Sequence, residues 1–220
     1  MCDFHHDHGL AHLDADEYVL DTPFLRGLVA EIRARITQAG TASAACLAIE
    51  PLFGELMAAR DWLPQAYQRD APASGMGGGI GQWLLFRAAD RSLCLFSLVV
   101  PPGSMTPVHD HLAWGLIGLY RGGQDEEIYR PSAGGLELVR RRPLEPGDFY
   151  RLLPPRDDVH RVRTTSDVTS VSLHLLASDT GCILRSTYDE LTGEATPFRS
   201  GYVNAACEQP PLTPASAQRD

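Results

Sequence analysis

The stretch LCLFSLVVPPGSMTPVHDHLAWGLIGLYRGG, residues 93–123, decides the fold. It contains two short apolar runs, Leu93 to Val100 and Trp114 to Tyr120, and each ends on a turn signal, Pro101-Pro102-Gly103 and Arg121-Gly122-Gly123. The same punctuation continues on both sides. Gly81 to Arg87, Glu127 to Arg130, Leu136 to Arg141, Asp148 to Leu153, His160 to Arg163 and Val168 to Leu176 are further short runs. Between them lie Ala89-Asp90, Ser132-Ala133-Gly134-Gly135 and Glu145-Pro146-Gly147. Strands at a spacing of roughly 8 to 12 residues are the mark of a sandwich or barrel, so the fold is expected to be mainly β, a barrel.

Upstream the pattern changes to helical. Thr22-Pro23 offers a cap followed by proline at the first helical position, and Phe24, Leu25, Leu28, Val29, Ile32 and Ile36 recur at helical spacing up to Gly40. A second helix is expected over Ala42 to Glu50, and a short third one from Pro51 to Trp62. The glycine-rich joint from Ala71 to Gly79 separates the two regimes. The expected organisation is a flexible N-terminal arm over 1–20, a helical segment over 21–74 packed on the barrel, the β-barrel domain over 75–205, and a C-terminal tail over 206–220.

Composition limits the function classes. The 220 residues carry 19 Lys+Arg against 28 Asp+Glu, a net charge of −9, with no basic run. Binding to a phosphate backbone needs clustered positive charge, so no nucleic-acid partner is expected. No apolar stretch approaches the ~20 residues of a membrane helix, so no membrane partner is expected either. The first residues lack the basic and apolar regions of a secretory leader. Five cysteines, Cys2, Cys46, Cys94, Cys182 and Cys207, form an odd set without CxxC spacing, which favours reduced thiols and a cytoplasmic protein. A single-domain chain of this size is expected to be a monomer or small homo-oligomer.

Histidine carries the chemistry. His109-Asp110-His111 lies where one strand ends and another opens, and alternate residues of extended chain share a face. Both imidazoles can therefore meet one metal while Asp110 points away. His160 stands in a second turn-to-strand transition and completes a candidate ligand set of His109, His111 and His160. Neutral imidazoles suit Fe, Zn, Cu or Ni, and three of them leave positions for exogenous ligands. Without a carboxylate ligand the metal keeps its full charge, which favours an anionic substrate such as a thiolate. The N-terminal set His5, His6, His8 and His12 sits in an arm with no scaffold to fix ligand geometry, and reads as a solvated tail.

These residues resemble the cupin superfamily. Gly103, five residues, His109-x-His111 and Gly122 follow its first motif; Gly147 with Pro155-x-x-x-x-His160 follows its second. The resemblance implies a cupin double-stranded β-helix with N-terminal α-helices. Two places depart from it: Gly115 stands where many cupins have a glutamate ligand, and Asp157 stands where a glycine is usual. Within cupins, Pro107 to Gly118, His160-Arg-Val and Ser172-x-His174 resemble the thiol dioxygenases, the family of cysteine dioxygenase and 3-mercaptopropionate dioxygenase, over about Gly81 to Glu190.

That resemblance implies Fe(II) as cofactor, O2 as co-substrate and a small-molecule thiol as partner. It also implies a catalytic pair, Ser172 and His174, beside the metal. The family's tyrosine two residues after that histidine is Leu176 here, with Tyr188 and Tyr202 as other tyrosines in reach, and the place of its crosslinking cysteine is Gly115 or Leu116. By position Gln82 corresponds to the residue that binds the substrate carboxylate, in the group that favours mercaptocarboxylates lacking an amino group. Glutamine alone pairs poorly with a carboxylate, so a guanidinium is expected nearby, Arg185 first and Arg163 second. As alternatives, three histidines also describe a catalytic zinc centre that activates water for hydrolysis, and the missing tyrosine keeps open a non-catalytic metal-binding cupin that senses a small acid.

Overall fold

The computed structural model describes residues 9–71, 76–132 and 134–207. Two helices precede the barrel. Helix α1, Pro23–Gln38, starts on Thr22, whose hydroxyl accepts from Leu25 N at 3.2 Å. It buries Leu25, Leu28, Val29, Ile32 and Ile36 of the stripe expected from the sequence, while Phe24 at its start is exposed. Helix α2, Ala42–Ala58, is one element and not the two expected, with Pro51 inside it. Proline removes the helical donor to the carbonyl of Leu47, but Leu47 is 53% exposed, so water can serve that carbonyl and the helix runs on.

The strands are β1 (Glu17–Tyr18), β2 (Gly81–Arg87), β3 (Cys94–Val100), β4 (Val108–His109), β5 (Gly115–Arg121), β6 (Gln124–Ser132), β7 (Gly135–Leu144), β8 (Phe149–Leu152), β9 (His160–Thr164), β10 (Ser170–Leu176), β11 (Arg185–Tyr188) and β12 (Ala195–Phe198). They form two six-stranded antiparallel sheets, β1-β2-β3-β10-β5-β8 and β12-β11-β4-β9-β6-β7. This is the expected mainly β fold, a double-stranded β-helix with N-terminal helices.

The first sheet is apolar on both faces. Leu84, Cys94, Phe96, Leu98, Ile117 and Leu176 form one cluster on its inner face. Leu85, Leu95, Val99, Leu116, Leu173 and Leu175 join the helices in another on its outer face. A strand covered on both sides reads as a continuous apolar run, which is why β2, β3 and β10 stand out in the sequence. The helix packing is close: a Cβ at Gly118 on β5 would come within 3.0 Å of Phe53 and Met57 on α2.

Several expectations need correction. Residues 13–20 do not form a loose arm. Leu13 N donates to Ala89 O, Asp16 accepts from Ala89 N, and β1 pairs with the end of β2. The structure beyond residue 207, and that of His5, His6 and His8, lies outside the described residues. The five cysteines are not all reduced: Cys182 and Cys207 form a disulfide with Cα atoms 5.2 Å apart, while Cys46 and Cys94 are free and buried. The reason is tertiary. Val203 N donates to Gln82 O, and the Asn204 side chain bonds both Leu84 N and Leu84 O, so the chain end folds along β2 and carries Cys207 to Cys182. The thiol argument for a cytoplasmic protein therefore falls. Among the described residues no helix is long and apolar enough to cross a membrane.

Candidate metal centre

Strand β4 is only two residues long, too short to read from sequence, yet it places the first ligand. His109 pairs with His160 on β9 and, on its other side, with Thr187 on β11. His109, His111 and His160 are all buried, their ring centroids stand 4.8 to 5.0 Å apart, and one ligand atom from each lies within 4.8 Å of the others. His109 Nδ1 lies 2.8 Å from Pro107 O, so Nδ1 carries the proton and Nε2 is the free donor.

His160 Nε2 is buried and has no hydrogen-bond partner. A buried polar atom without a partner is costly unless something else meets it, and a metal held by three imidazoles is that something. The residues fit such an ion. Burial first, then the charge of Arg185 and the neighbouring rings, pushes the pKa of His109 well below its ordinary value. Burial, then His160 and Arg185, does the same for His111. Both rings are thus held neutral, the form that binds metal.

Two aspartates hold the loop. Asp158 accepts from His111 N at 2.8 Å and Leu112 N at 3.1 Å, which supports the left-handed backbone of Leu112 at φ +55°. Asp110 points away from the ligands, as expected. Its carboxylate accepts from Ser186 N and from Tyr188 Oη, both at 2.8 Å.

Gly115 explains why no carboxylate joins the ligands. A Cβ there would lie 2.0 Å from Leu175 O and 2.9 Å from Leu176 Cα, so β10 runs where any side chain would have to sit. Position 115 therefore supplies no ligand, and the set that remains is three imidazoles.

Beside the ligands stands His174, its ring centroid 6.0 Å from that of His111 and stacked 4.7 Å from Phe96. Ser172 Oγ lies 3.1 Å from His174 Nε2, and His174 Nδ1 has no partner. Burial, then His160 and Arg185, pushes His174 down to about 3, so it too is neutral. Gln82 shares its inner face: it pairs with Leu98, which pairs with Ser172. Gln82 is 4% exposed and its Nε2 has no partner, a buried donor facing the same interior as the histidines.

The two arginines separate. Arg185 is buried next to the ligand loop, donating to Thr180 O at 3.1 Å, Asp110 O at 2.6 Å and Ser200 Oγ at 2.8 Å. It braces the loop with all three nitrogens, and its charge reaches the site through space. Arg163 is corrected: strand alternation turns His160, Val162 and Thr164 inward and Arg163 outward, where it is 44% exposed and pairs with Asp125. Of the two tyrosines proposed from the sequence, Tyr188 donates to Asp110 and Tyr202 to Asp179.

Sequence reading missed Glu126. It is fully buried on β6, with Oε1 2.8 Å from His160 Nδ1. Burial opposes its ionisation, but His160, Arg142 and Tyr150 outweigh burial and hold its pKa below the ordinary value. The run Gln124-Asp125-Glu126-Glu127 offered a signal, since one of two adjacent carboxylates on a strand must face inward. Which strand it would face could not be read.

No protein-family model matches the chain. Solved structures similar to it include an uncharacterised conserved protein with a double-stranded β-helix domain from Klebsiella pneumoniae, at 12% identity and TM-score 0.42 over 55% of this chain and 91% of that one. Oxalate oxidase in complex with the substrate analogue glycolate matches at 14% identity and TM-score 0.40, over 53% of this chain and 59% of that one. Lactobacillus farciminis oxalate decarboxylase in a formate complex matches at 15% and 0.34, over 41% and 25%. The chain spans less than two thirds of these last two.

Proposed function

We propose that the chain is an Fe(II)- and O2-dependent thiol dioxygenase that converts a small mercaptocarboxylate, such as 3-mercaptopropionate, cysteine or a close analogue, to its sulfinate. The observation that carries this reading is the neutral ligand set. Three imidazoles with a carboxylate excluded at Gly115 leave the charge of a divalent ion uncompensated by its ligands, which favours an anionic thiolate there. His109, His111 and His160 would hold the iron, which when bound would supply the coordination and redox chemistry for adding O2 to sulfur.

The chain's own groups bind and orient. The Gln82 amide is a buried donor without a partner, suited to a substrate carboxylate, and the buried charge of Arg185 adds a positive field from behind the ligand loop. Leu84, Leu98, Ile117 and Leu176 form an apolar wall for the methylenes and exclude water. Leu176 also leaves His174 without a phenol, so the Ser172–His174 pair is the only proton-bearing relay on this wall that the reading uses. The reaction balances as RSH + O2 → RSO2H, with sulfur losing four electrons and O2 gaining them.

The test is O2 uptake and sulfinate formation by Fe(II)-loaded protein offered 3-mercaptopropionate, cysteine and mercaptosuccinate separately, with a Zn(II)-loaded control. Uptake with at least one thiol, and none with zinc, is expected. Absence of thiol-dependent uptake with all three overturns the reading.

A further inference from the structure

The three ligands differ in what stands behind them. His109 Nδ1 faces a neutral carbonyl, that of Pro107. His111 Nδ1 is 3.4 Å from Asp158 Oδ1, but both Asp158 oxygens already accept backbone N–H groups. His160 alone has a carboxylate at 2.8 Å, an approach that is short but oblique to the ring N–H. Glu126 is in turn held from outside. Tyr150 Oη donates to Oε1 at 2.6 Å, Arg142 Nη1 donates to Oε2 at 2.8 Å, and the Arg142 guanidinium lies 3.8 Å over the Tyr150 ring.

The cluster is costly to build. A fully buried carboxylate must be answered by its surroundings, and Glu126 is hydrogen-bonded by one cation and one phenol, with the His160 ring at 2.8 Å. Packing alone does not require a charge in this place, because Ile128, two residues on and on the same inner face, is an ordinary buried apolar neighbour of His160.

We propose that Glu126 is a positioning residue for the metal centre. It supplies through His160 the negative charge that Gly115 denies to the ligand shell, and Arg142 sets how much of that charge His160 receives. A negative charge 2.8 Å from Nδ1 raises the electron density of the ring and makes Nε2 a stronger metal ligand, so the ion is held more tightly without an anionic ligand occupying one of its positions. Arg142 competes for the same carboxylate from the opposite side. The two residues therefore act on the metal with opposite signs. This inference needs only the three-histidine centre; it does not rest on the thiol reaction.

The test titrates the metal-free full chain with Co(II) against a competing chelator and records the visible spectrum of the Co(II) form. Glu126→Gln, which keeps the shape and removes the charge, is expected to weaken Co(II) binding by about 10- to 100-fold and to shift the spectrum, with an unchanged circular dichroism spectrum as the folding control. Arg142→Gln is expected to tighten binding a few-fold although it deletes an ion pair. Glu126→Gln binding within about twofold of the parent, with the same spectrum, overturns the proposal. So does weaker binding in Arg142→Gln, because a packing role predicts damage from both variants. If Glu126→Gln does not fold, Arg142→Gln decides alone: tighter supports, unchanged or weaker overturns. A parent chain that binds Co(II) but takes up no O2 with thiols would leave this result standing and remove only the thiol reading.

Discussion

In the first sheet β2, β3 and β10 are buried at every position, because α1 and α2 cover the outer face. In the second sheet β7 is exposed at most positions, and the outer faces of β6, β7 and β9 are joined by cross-strand ion pairs, Glu127 with Arg141 and Arg161, and Asp125 with Arg163. The sheets line one interior but contribute differently to it. The covered sheet supplies Gln82, Ser172 and His174, set in apolar packing. The open sheet supplies His109 and His160, next to His111, and a polar chain that leads from His160 through Glu126 to half-buried Arg142. Rigidity comes from one side and charge adjustment from the other.

Five experiments break or sharpen that contrast. Gly115→Glu introduces a carboxylate beside the three histidines, yet its side chain meets the β10 backbone. The expected result is destabilisation by ~4 kcal/mol or more, a fall in Tm of about 8–16 °C or an insoluble chain, and no gain in metal affinity. A soluble variant of parental Tm that binds metal more tightly would show that the covered sheet yields. Next, Leu95→Ala on the covered face is expected to cost ~3 kcal/mol in denaturant unfolding, while Leu138→Ala on β7, where the leucine is 39% exposed, costs under ~1 kcal/mol. Equal costs would erase the difference between the sheets.

His160→Ala is expected to lower metal affinity on the order of 100-fold or more, read by metal content after dialysis against chelator. Arg163→Ala, which removes one exposed pair with Asp125, should change stability by less than ~1 kcal/mol and leave metal affinity unaltered. The smallest effect concerns thiols. Burial pushes Cys46 up to about 12 and Cys94 up to about 11, so both stay protonated at pH 8. Alkylation mapped by mass spectrometry should leave both unlabelled until denaturant is added, and labelling of either in the native protein would show that the covered side opens.

The legible and illegible parts of the molecule follow the same division. Helix α1 and strands β2, β3, β5 and β10 were readable because each buries enough consecutive apolar residues to leave a pattern. β4, β11 and β12 were not, since two to four residues of mixed polarity carry no periodicity. Pro51 divided α2 in the sequence but not in the fold, because the donor it lacks would have served a carbonyl on the solvent side.

By itself, the sequence determined the barrel, its helical prefix and the shared face of His109 and His111, because local alternation dictates which side chains of one strand lie together, and it offered His160 as their partner. Only the tertiary structure decided what surrounds that trio. It turned Arg163 out to solvent and made Arg185 a brace for the loop. It passed β10 over Gly115, brought Glu126 behind His160 and folded Cys207 back to Cys182. Each of these depends on strands far apart in the chain meeting at a particular register, and a one-residue slip in register would turn each side chain to the opposite face without altering a single local pattern.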